Sequence, residues 1–333
     1  MKKVTLYTLI ILIVIAGIGL ASYPMVANYL FEKNATKAAQ EYDKVIAETE
    51  LELLERAMLE AVRYNESLEG NPVHDPFLEG SGMALSEDYE QVLNLMGDGI
   101  MGFVSVPKIG VRLPIYHGTS EEVLQKGTGH LVGSSLPVGG LGTHSVITGH
   151  TGLSHAKIFT DLTKLVEEEV GAGVEGDIFF LHILDQTLAY KVDQIKKVWP
   201  ENTEDLKRAS GKDYSTLVTC WPYGVNSHRL MVRGTRIEYD PEEEQALLES
   251  GGSTPWYADW HVWLGAGIGL AVVVVFAIFF ILFGRRKKEE NAEEERRENP
   301  WAETKPPAQS TGGRNRKKTN KRYWWDEDGG GDG

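Results

Sequence analysis

Two uncharged stretches lie near the two ends of the chain. Residues 4–23 form a run of 20 residues without a charged side chain, and residues 262–284 form a run of 23. A helix of about 20 apolar residues crosses a hydrocarbon core ~30 Å thick. The pattern therefore predicts two transmembrane helices, with residues 24–260 between them.

Basic residues flank the outer end of each uncharged run. Lys2 and Lys3 precede the first run, and Arg-Arg-Lys-Lys at 285–288 follows the second. The positive-inside rule then predicts two cytoplasmic termini and an extracellular segment 24–260 of a cell-membrane protein. A cleaved signal peptide is the alternative for the first run, but the run is long for one and Leu-Ala-Ser at 20–22 is a weak cleavage site. We favour a retained anchor.

The first part of the middle segment has the spacing of a helix. Apolar residues such as Tyr42, Val45 and Ile46 recur between charges from 33 to 66, which predicts a helical stalk within residues 24–67. Residues 68–88 contain several glycines and prolines and have neither a helical nor a strand period. They are expected to form a long irregular loop, which is usually functional or disordered.

From residue 99 onward the chain is rich in short runs of strand-forming residues. Seven such runs are separated mostly by Gly, Pro, Asn or Asp, and they lie at 103–106, 111–116, 145–148, 178–181, 188–192, 215–219 and 230–233. Many short strands at this spacing indicate a mainly β domain, either a sandwich or a barrel. Two short helical stretches are expected near 120–126 and 156–169.

Charge and composition narrow the possible partners. The chain has a net charge of −14, and residues 24–260 alone carry −18. Such an acidic segment repels phosphate backbones, so we expect no nucleic-acid partner. The tail 285–333 is highly charged and contains Pro306, Pro307 and a glycine-rich end, which predicts disorder.

The sequence contains one cysteine, Cys220, so it has neither an intrachain disulfide nor a paired-cysteine metal site. Cys220 ends one strand-like run, and the next begins at 228 after a loop rich in strand breakers. Opposed Cα atoms in an antiparallel pair lie ~4.5–5.5 Å apart, so we expect Cys220 and Arg229 to face each other at the rim of the sheet. A guanidinium there favours a thiolate and donates to an oxyanion. The alternative is a small buried thiol beside a solvated arginine.

Three histidines are candidates for proton transfer with this thiol. His150 follows an apolar run and opens a glycine loop, His228 is adjacent to Arg229, and His182 lies inside a strand-like run, where a core role is the alternative. The residues alone favour His150 or His228 without choosing between them.

The sequence gives little support for a metal site or a cofactor site. His150 and His155 are five residues apart, which does not bring two ligands onto one helical face. The Gly-x-Gly-x-x-Gly at 171–176 precedes a strand, whereas a dinucleotide fingerprint follows a strand and precedes a helix. We interpret it as a turn and expect no metal and no cofactor.

Several motifs together resemble the sortases, the transpeptidases of Gram-positive cell surfaces. Thr-Leu-Val-Thr-Cys at 216–220 resembles their cysteine signature, 228–234 their arginine strand, and Thr-Gly-His at 148–150 their histidine motif. The segment 128–137 is typical of the pilus-specific class C, and Asp-Pro-Phe at 75–77 is similar to the lid of that class. The resemblance covers about 35–240.

This resemblance implies a fold and a mechanism. It implies a sortase-type β-barrel of seven or eight strands, with Cys220, His150 and Arg229 as catalytic residues and Asp75 and Phe77 in the lid. Cys220 would cleave an LPxTG-type sorting signal after its Thr and form a thioacyl-enzyme. The implied partners are membrane lipid and pilin subunits that carry the signal and an acceptor lysine.

Three alternatives remain at this stage. A housekeeping sortase would anchor proteins to peptidoglycan, a hydrolytic cysteine protease would use water, and a membrane scaffold would not need Cys220. The expected segments are a cytoplasmic N-terminus, an anchor, a stalk, a lid loop, a catalytic barrel, a linker, a second membrane helix and a cytoplasmic tail, at 1–3, 4–23, 24–67, 68–88, 89–240, 241–261, 262–284 and 285–333.

Overall fold

The computed structural model divides the chain into two compact units, Met1–Gly267 and Ile268–Gly333. The structure describes residues 2–68, 75–77, 87–153, 156–169 and 172–251, the single residues 267, 269, 272 and 289, and the segment 291–298. All strands of the described residues belong to the first unit.

Eight strands form a closed barrel, with spatial order β1-β2-β3-β4-β7-β8-β6-β5 and β5 paired back to β1. The strands are β1 Ile100–Val106, β2 Val111–His117, β3 Thr128–His130, β4 Thr143–Thr148, β5 Ile178–Ile183, β6 Gln186–Val198, β7 Asp213–Trp221 and β8 His228–Ile237. The β2–β3 and β4–β7 pairs are parallel, and the other pairs are antiparallel. The predicted mainly β barrel of seven or eight strands is confirmed.

Side-chain alternation gives the sheet two apolar faces near the end of β7. Leu217 belongs to the main core, whereas its neighbour Val218 belongs to a second buried cluster with Val146, Leu206 and Met231. Successive side chains of a strand point to opposite faces, so this second cluster lies on the other face of the β4–β7–β8 sheet. It forms an apolar floor next to the end of β7.

Two helices precede the predicted lid loop, α1 at Lys2–Glu48 and α2 at Leu51–Ser67. The stalk prediction is correct about helix, but residues 35–46 lie against the barrel and do not stand apart from it. The Tyr42 hydroxyl donates to the Met101 carbonyl at 3.0 Å and accepts from the Leu184 N–H at 2.9 Å. The apolar stripe of α1 thus closes one side of the domain.

Polar contacts fix the chain on both sides of the predicted lid loop. The Asn65 amide on α2 donates to the Leu136 carbonyl at 3.2 Å and accepts from the Leu136 N–H at 2.6 Å. After the loop, the short helix α3 at Glu87–Gln91 carries Tyr89, whose hydroxyl lies 2.9 Å from Nδ1 of buried His130. Residues 69–74 and 78–86 of the loop lie outside the described residues.

The short helix α4 lies at Glu121–Lys126, as the sequence predicts. The expected helix at 156–169 is wrong, because only a 3₁₀ turn at Thr160–Lys164 forms there. Its apolar residues, including Ile158 and Phe159, pack into the main core. At the glycine motif, Ala172 and Gly173 form the expected turn.

The catalytic unit continues beyond the predicted boundary at residue 240. Part of the expected linker is the helix α5, Pro241–Ser250, whose N-cap Asp240 accepts from the Glu242 N–H at 2.9 Å. Leu247 packs against a buried cluster that contains Phe180. The sequence contains three signals for the start of this helix: a capping residue, a proline at the first helical position and an acidic first turn. The predicted boundary at 240 does not take them into account.

The structure describes the first of the two predicted membrane spans and only three residues of the second. Among the described residues no single helix is both long and apolar enough to cross a membrane, while the parts of α1 at Leu12–Leu20 and Ser22–Glu48, bent by 44°, pass together by length and composition. The predicted span at 262–284 lies outside the described residues except at 267, 269 and 272. In the tail, residues 291–298 are helical where disorder is expected. Glu and Arg dominate this segment, and both are good helix formers.

Candidate active site

The β7–β8 hairpin brings the thiol and a guanidinium together. Cys220 and Arg229 are direct partners in the antiparallel register, so the predicted pairing is confirmed. Asn226 in the connecting loop has a φ of 58°, a left-handed conformation that Asn tolerates. The Arg229 guanidinium donates through Nη1 to the carbonyls of Asn226 at 3.0 Å and His228 at 3.1 Å. These contacts hold it at the rim.

The parallel pairing of β4 with β7 brings His150 to the same rim. Thr148 pairs with Val218, so His150 and Cys220 each follow a paired residue by two positions. The Thr219 hydroxyl donates to the Gly149 carbonyl at 2.7 Å, which fastens the histidine loop to β7. A Cβ at Gly149 would lie 2.7 Å from the Phe159 ring, so this close approach requires glycine.

The two rival histidines have other surroundings. The His228 ring lies 4.1 Å from the Trp199 ring. His228 pairs with Trp221, at the register position next to the Cys220–Arg229 pair. Its side chain therefore points to the opposite face of the hairpin from Cys220. His182 Nε2 lies 3.1 Å from the Glu244 carboxylate on α5. Geometry favours His150.

Asp75 and Phe77 cover the rim. Asp75 accepts two hydrogen bonds from the Arg229 guanidinium, at 2.7 and 2.8 Å, and the two side chains are 2% and 5% exposed. The Phe77 ring lies 5.7 Å from the His150 ring, and Cζ of Arg229 lies 5.0 Å from the Phe77 centroid. Phe77 also packs against the second apolar cluster. The structure thus brings all five predicted site residues together.

The covered thiol is held in its neutral form. Burial raises the pKa of Cys220 to about 11; Arg229 acts in the opposite direction, and the Asp75 carboxylate raises the pKa further. Because Asp75 pairs with Arg229, much of the positive charge that favours a thiolate is compensated. This covered arrangement is therefore a resting state of the thiol.

Comparison with known proteins agrees with this geometry. Residues 104–237 match the Sortase domain family. A solved sortase C of Streptococcus pneumoniae, described in terms of catalysis and pilin substrate specificity, is 43% identical, with 61% of this chain and 97% of that chain covered and a TM-score of 0.54. A pilus-related sortase C of Group B Streptococcus is 42% identical, with coverages of 60% and 97% and a TM-score of 0.54. Sortase A of Bacillus anthracis is 25% identical over 71% of this chain and 97% of its own length.

This chain belongs to the sortase family. The sortase match runs from β1 to β8 and includes Cys220, His150 and Arg229. Its likeness to solved class C enzymes is greater than its likeness to the sortase A relative. The protein is accordingly a cysteine transpeptidase.

Two residues at the site of this sortase are absent from the sequence-based candidates. Glu121, the first residue of α4, has its Oε2 3.2 Å from Nε2 of His150. Thr148 is fully buried, and its hydroxyl has no hydrogen-bond partner among the described residues. Glu121 has no local signal, because it meets His150 only once β2, β3 and β4 have paired.

Proposed function

We propose that this sortase polymerises pilins. It cleaves an LPxTG-type sorting signal, holds the acyl group on Cys220 and transfers it to a lysine amine of another pilin. The observation that carries the proposal is the likeness, above 40% over nearly the whole solved chain, to two sortase C enzymes described as pilus-related or as acting on pilin. The lid segment over the Cys220 rim supports the same class.

The chemistry assigned to the rim residues is acyl transfer in two steps. The Cys220 thiolate adds to the carbonyl carbon of the signal's Thr, and the resulting oxyanion accepts hydrogen bonds from Arg229. Protonated His150 donates its proton to the departing amine as the peptide bond breaks, which leaves a thioester. The incoming lysine amine then adds to the thioester, gives a proton to His150, and expels Cys220 as an isopeptide bond forms.

This chemistry requires the lid contacts to break first. Asp75 occupies the Arg229 N–H groups at 2.7 and 2.8 Å, and these groups are the ones assigned to the oxyanion. When Asp75 leaves, one cause of the raised Cys220 pKa is removed, and Arg229 acts on the thiol without compensation. Lid opening thus exposes the site and makes thiolate formation easier in one movement.

The proposed location is the cell membrane, with the barrel outside the cell and both termini in the cytoplasm. The support is the sequence pattern of two uncharged runs with basic outer flanks. Membrane lipid is then a partner of the two runs, and secreted pilins meet the barrel on the outer surface.

The test is a polymerisation assay with the full chain in detergent. A pilin that carries a sorting signal and an acceptor lysine should give a ladder of covalent polymers, and mass spectrometry should find isopeptide bonds. Cys220→Ala should abolish both the ladder and the thioacyl adduct. Transfer only to peptidoglycan amines would favour a housekeeping sortase, and release of the acyl group only to water would favour a protease; either result contradicts the proposal.

A further inference from the structure

A carboxylate outside the predicted catalytic set contacts the catalytic histidine. Glu121 begins α4, whose N-cap Ser120 accepts from the Val123 N–H at 3.3 Å. Oε2 of Glu121 lies 3.2 Å from Nε2 of His150. Its other oxygen, Oε1, accepts from the Gln125 amide at 2.9 Å. The carboxylate is therefore held from one side and aimed at the imidazole from the other.

This contact assigns different tasks to the two ring nitrogens. A carboxylate only accepts hydrogen bonds, so Nε2 of His150 carries a hydrogen when it meets Glu121. Nδ1 of His150 makes no hydrogen bond with the described residues. Nδ1 is thus the nitrogen left to exchange a proton with the thiol and with the amines of the reaction.

Phe77 and Glu121 both contact the imidazole of His150, but only the Glu121 contact is expected to persist when the lid opens. Phe77 comes from the lid and must move away before a sorting signal reaches Cys220. Glu121 belongs to α4, which is anchored by fully buried Leu124 and continues directly into β3. The Glu121 contact therefore survives lid opening, when the ring loses its support from Phe77.

We propose that Glu121 is a positioning residue that orients the His150 ring for proton transfer during transpeptidation. This inference rests on the proposed function, because it concerns the proton that His150 gives to the departing amine. The charged groups around the ring are Glu121 on α4, Arg229 beside Phe77, and Asp75 paired with Arg229. Glu121 is the one in direct contact with it.

The carboxylate is ionised under working conditions. Hydrogen bonding from Gln125 is the largest cause that lowers the pKa of Glu121, and the charge of His150 lowers it further. Glu121 is 66% exposed, so water screens its effect on the imidazolium and the expected rate effect is moderate.

The experiment compares Glu121→Gln with Glu122→Gln in the full chain. Glu122 is the neighbouring exposed acid on α4 and pairs with Lys126, so it is a control for charge and for helix stability. We expect Glu121→Gln to lower kcat/KM for a sorting peptide with an amine acceptor by about two- to fivefold. The decrease should fall on kcat and leave KM unchanged, because a carboxylate that orients the proton donor acts on the chemical step.

A second background excludes a contact that exists only in the covered state. In a Phe77→Ala chain, Glu121→Gln should produce the same fold decrease in kcat. A kcat of Glu121→Gln equal to those of Glu122→Gln and of the unaltered chain would overturn the proposal, and so would an effect that vanishes with Phe77→Ala. In both cases product formation by the unaltered chain keeps the transpeptidase function intact, whereas absence of any product would reject that function itself.

Discussion

His150 and His228 both lie near the end of β7 that carries Cys220, but they are on different faces of the sheet. His150→Ala should lower kcat/KM by about 10²–10⁴-fold, the usual contribution of general acid–base groups. His228→Ala removes a ring that packs against Trp199 and should leave kcat/KM within a few-fold. Steady-state kinetics, with a thermal unfolding curve for each variant, measures the difference. A severe His228 variant beside a mild His150 variant would reverse the assignment.

Two buried threonines should respond oppositely to the same substitution. Thr148 Oγ1 has no partner among the described residues, whereas Thr128 Oγ1 donates to the Pro114 carbonyl at 2.7 Å. Thr148→Val should raise the free energy of unfolding by about 1 kcal/mol, and Thr128→Val should lower it by about 1–3 kcal/mol. Urea unfolding of both variants measures the changes. Destabilisation by Thr148→Val would mean that the hydroxyl is satisfied.

The residues of the site differ in how far the sequence reveals them. The Cys220–Arg229 pair is predictable because a hairpin fixes which residues face each other. His150 is separated from Cys220 by 70 positions, and the residues alone leave His228 as a rival until a family resemblance is considered. Glu121 cannot be identified from the sequence, because nothing in the residues around it indicates that it contacts His150, 29 positions away.

The lid makes a prediction about thiol reactivity. Asp75→Ala or Phe77→Ala should make Cys220 react faster with a small alkylating reagent, because both changes expose the thiol and the first also removes a charge that raises its pKa. Asp193→Ala is the matched control, because it breaks a similar two-bond pair with Arg233, another arginine of β8. Alkylation rates between pH 7 and 9 give the comparison. Rates no higher than in the control would reject a covering role for Asp75 and Phe77.

Secondary structure is predictable where burial follows a simple period. Seven of the barrel strands coincide with apolar runs, whereas β3, Thr128–His130, is too short to show a period of its own. The segment 156–169 has helix-like spacing, but Ile158 and Phe159 are buried by tertiary packing without an α-helix. Sequence periodicity therefore fails to predict secondary structure where an element is very short or where long-range packing buries its apolar residues.

The whole molecule should lose stability in acid through two buried histidines. Burial lowers the pKa of His130 and of His144 from 6.5 to about 4 in the folded chain. The unfolded chain binds these protons at higher pH, so stability is present above pH 6.5 and is lost as pH falls towards 4, by at most about 3 kcal/mol for each group.

Urea unfolding across this pH range measures the loss. His144→Gln should reduce the pH dependence because it removes one of the two titrating rings. Stability that stays level between pH 6.5 and 4 would show that neither ring remains neutral in the fold.

The membrane topology can be tested on cells whose wall has been removed. An added protease should digest residues 24–260 and leave an epitope tag after Gly333 intact, because the tag is expected in the cytoplasm. Permeabilised cells are the control, in which the tag should also be lost. Loss of the tag from intact cells would contradict the proposed orientation.

The fixed ends of the lid loop make Asp75 a tethered ligand of its own enzyme. Asn65 holds the chain before the loop and Tyr89 holds it afterwards, so Asp75 never diffuses away from Arg229. A short tether supplies an effective concentration on the order of millimolar. A sorting signal binds only the open fraction, and its apparent Kd rises by the inverse of that fraction. Sorting signals at low concentration are therefore outcompeted by Asp75, whereas substrates concentrated beside the enzyme displace it. The local concentration of a substrate thus helps to decide whether the enzyme acts on it.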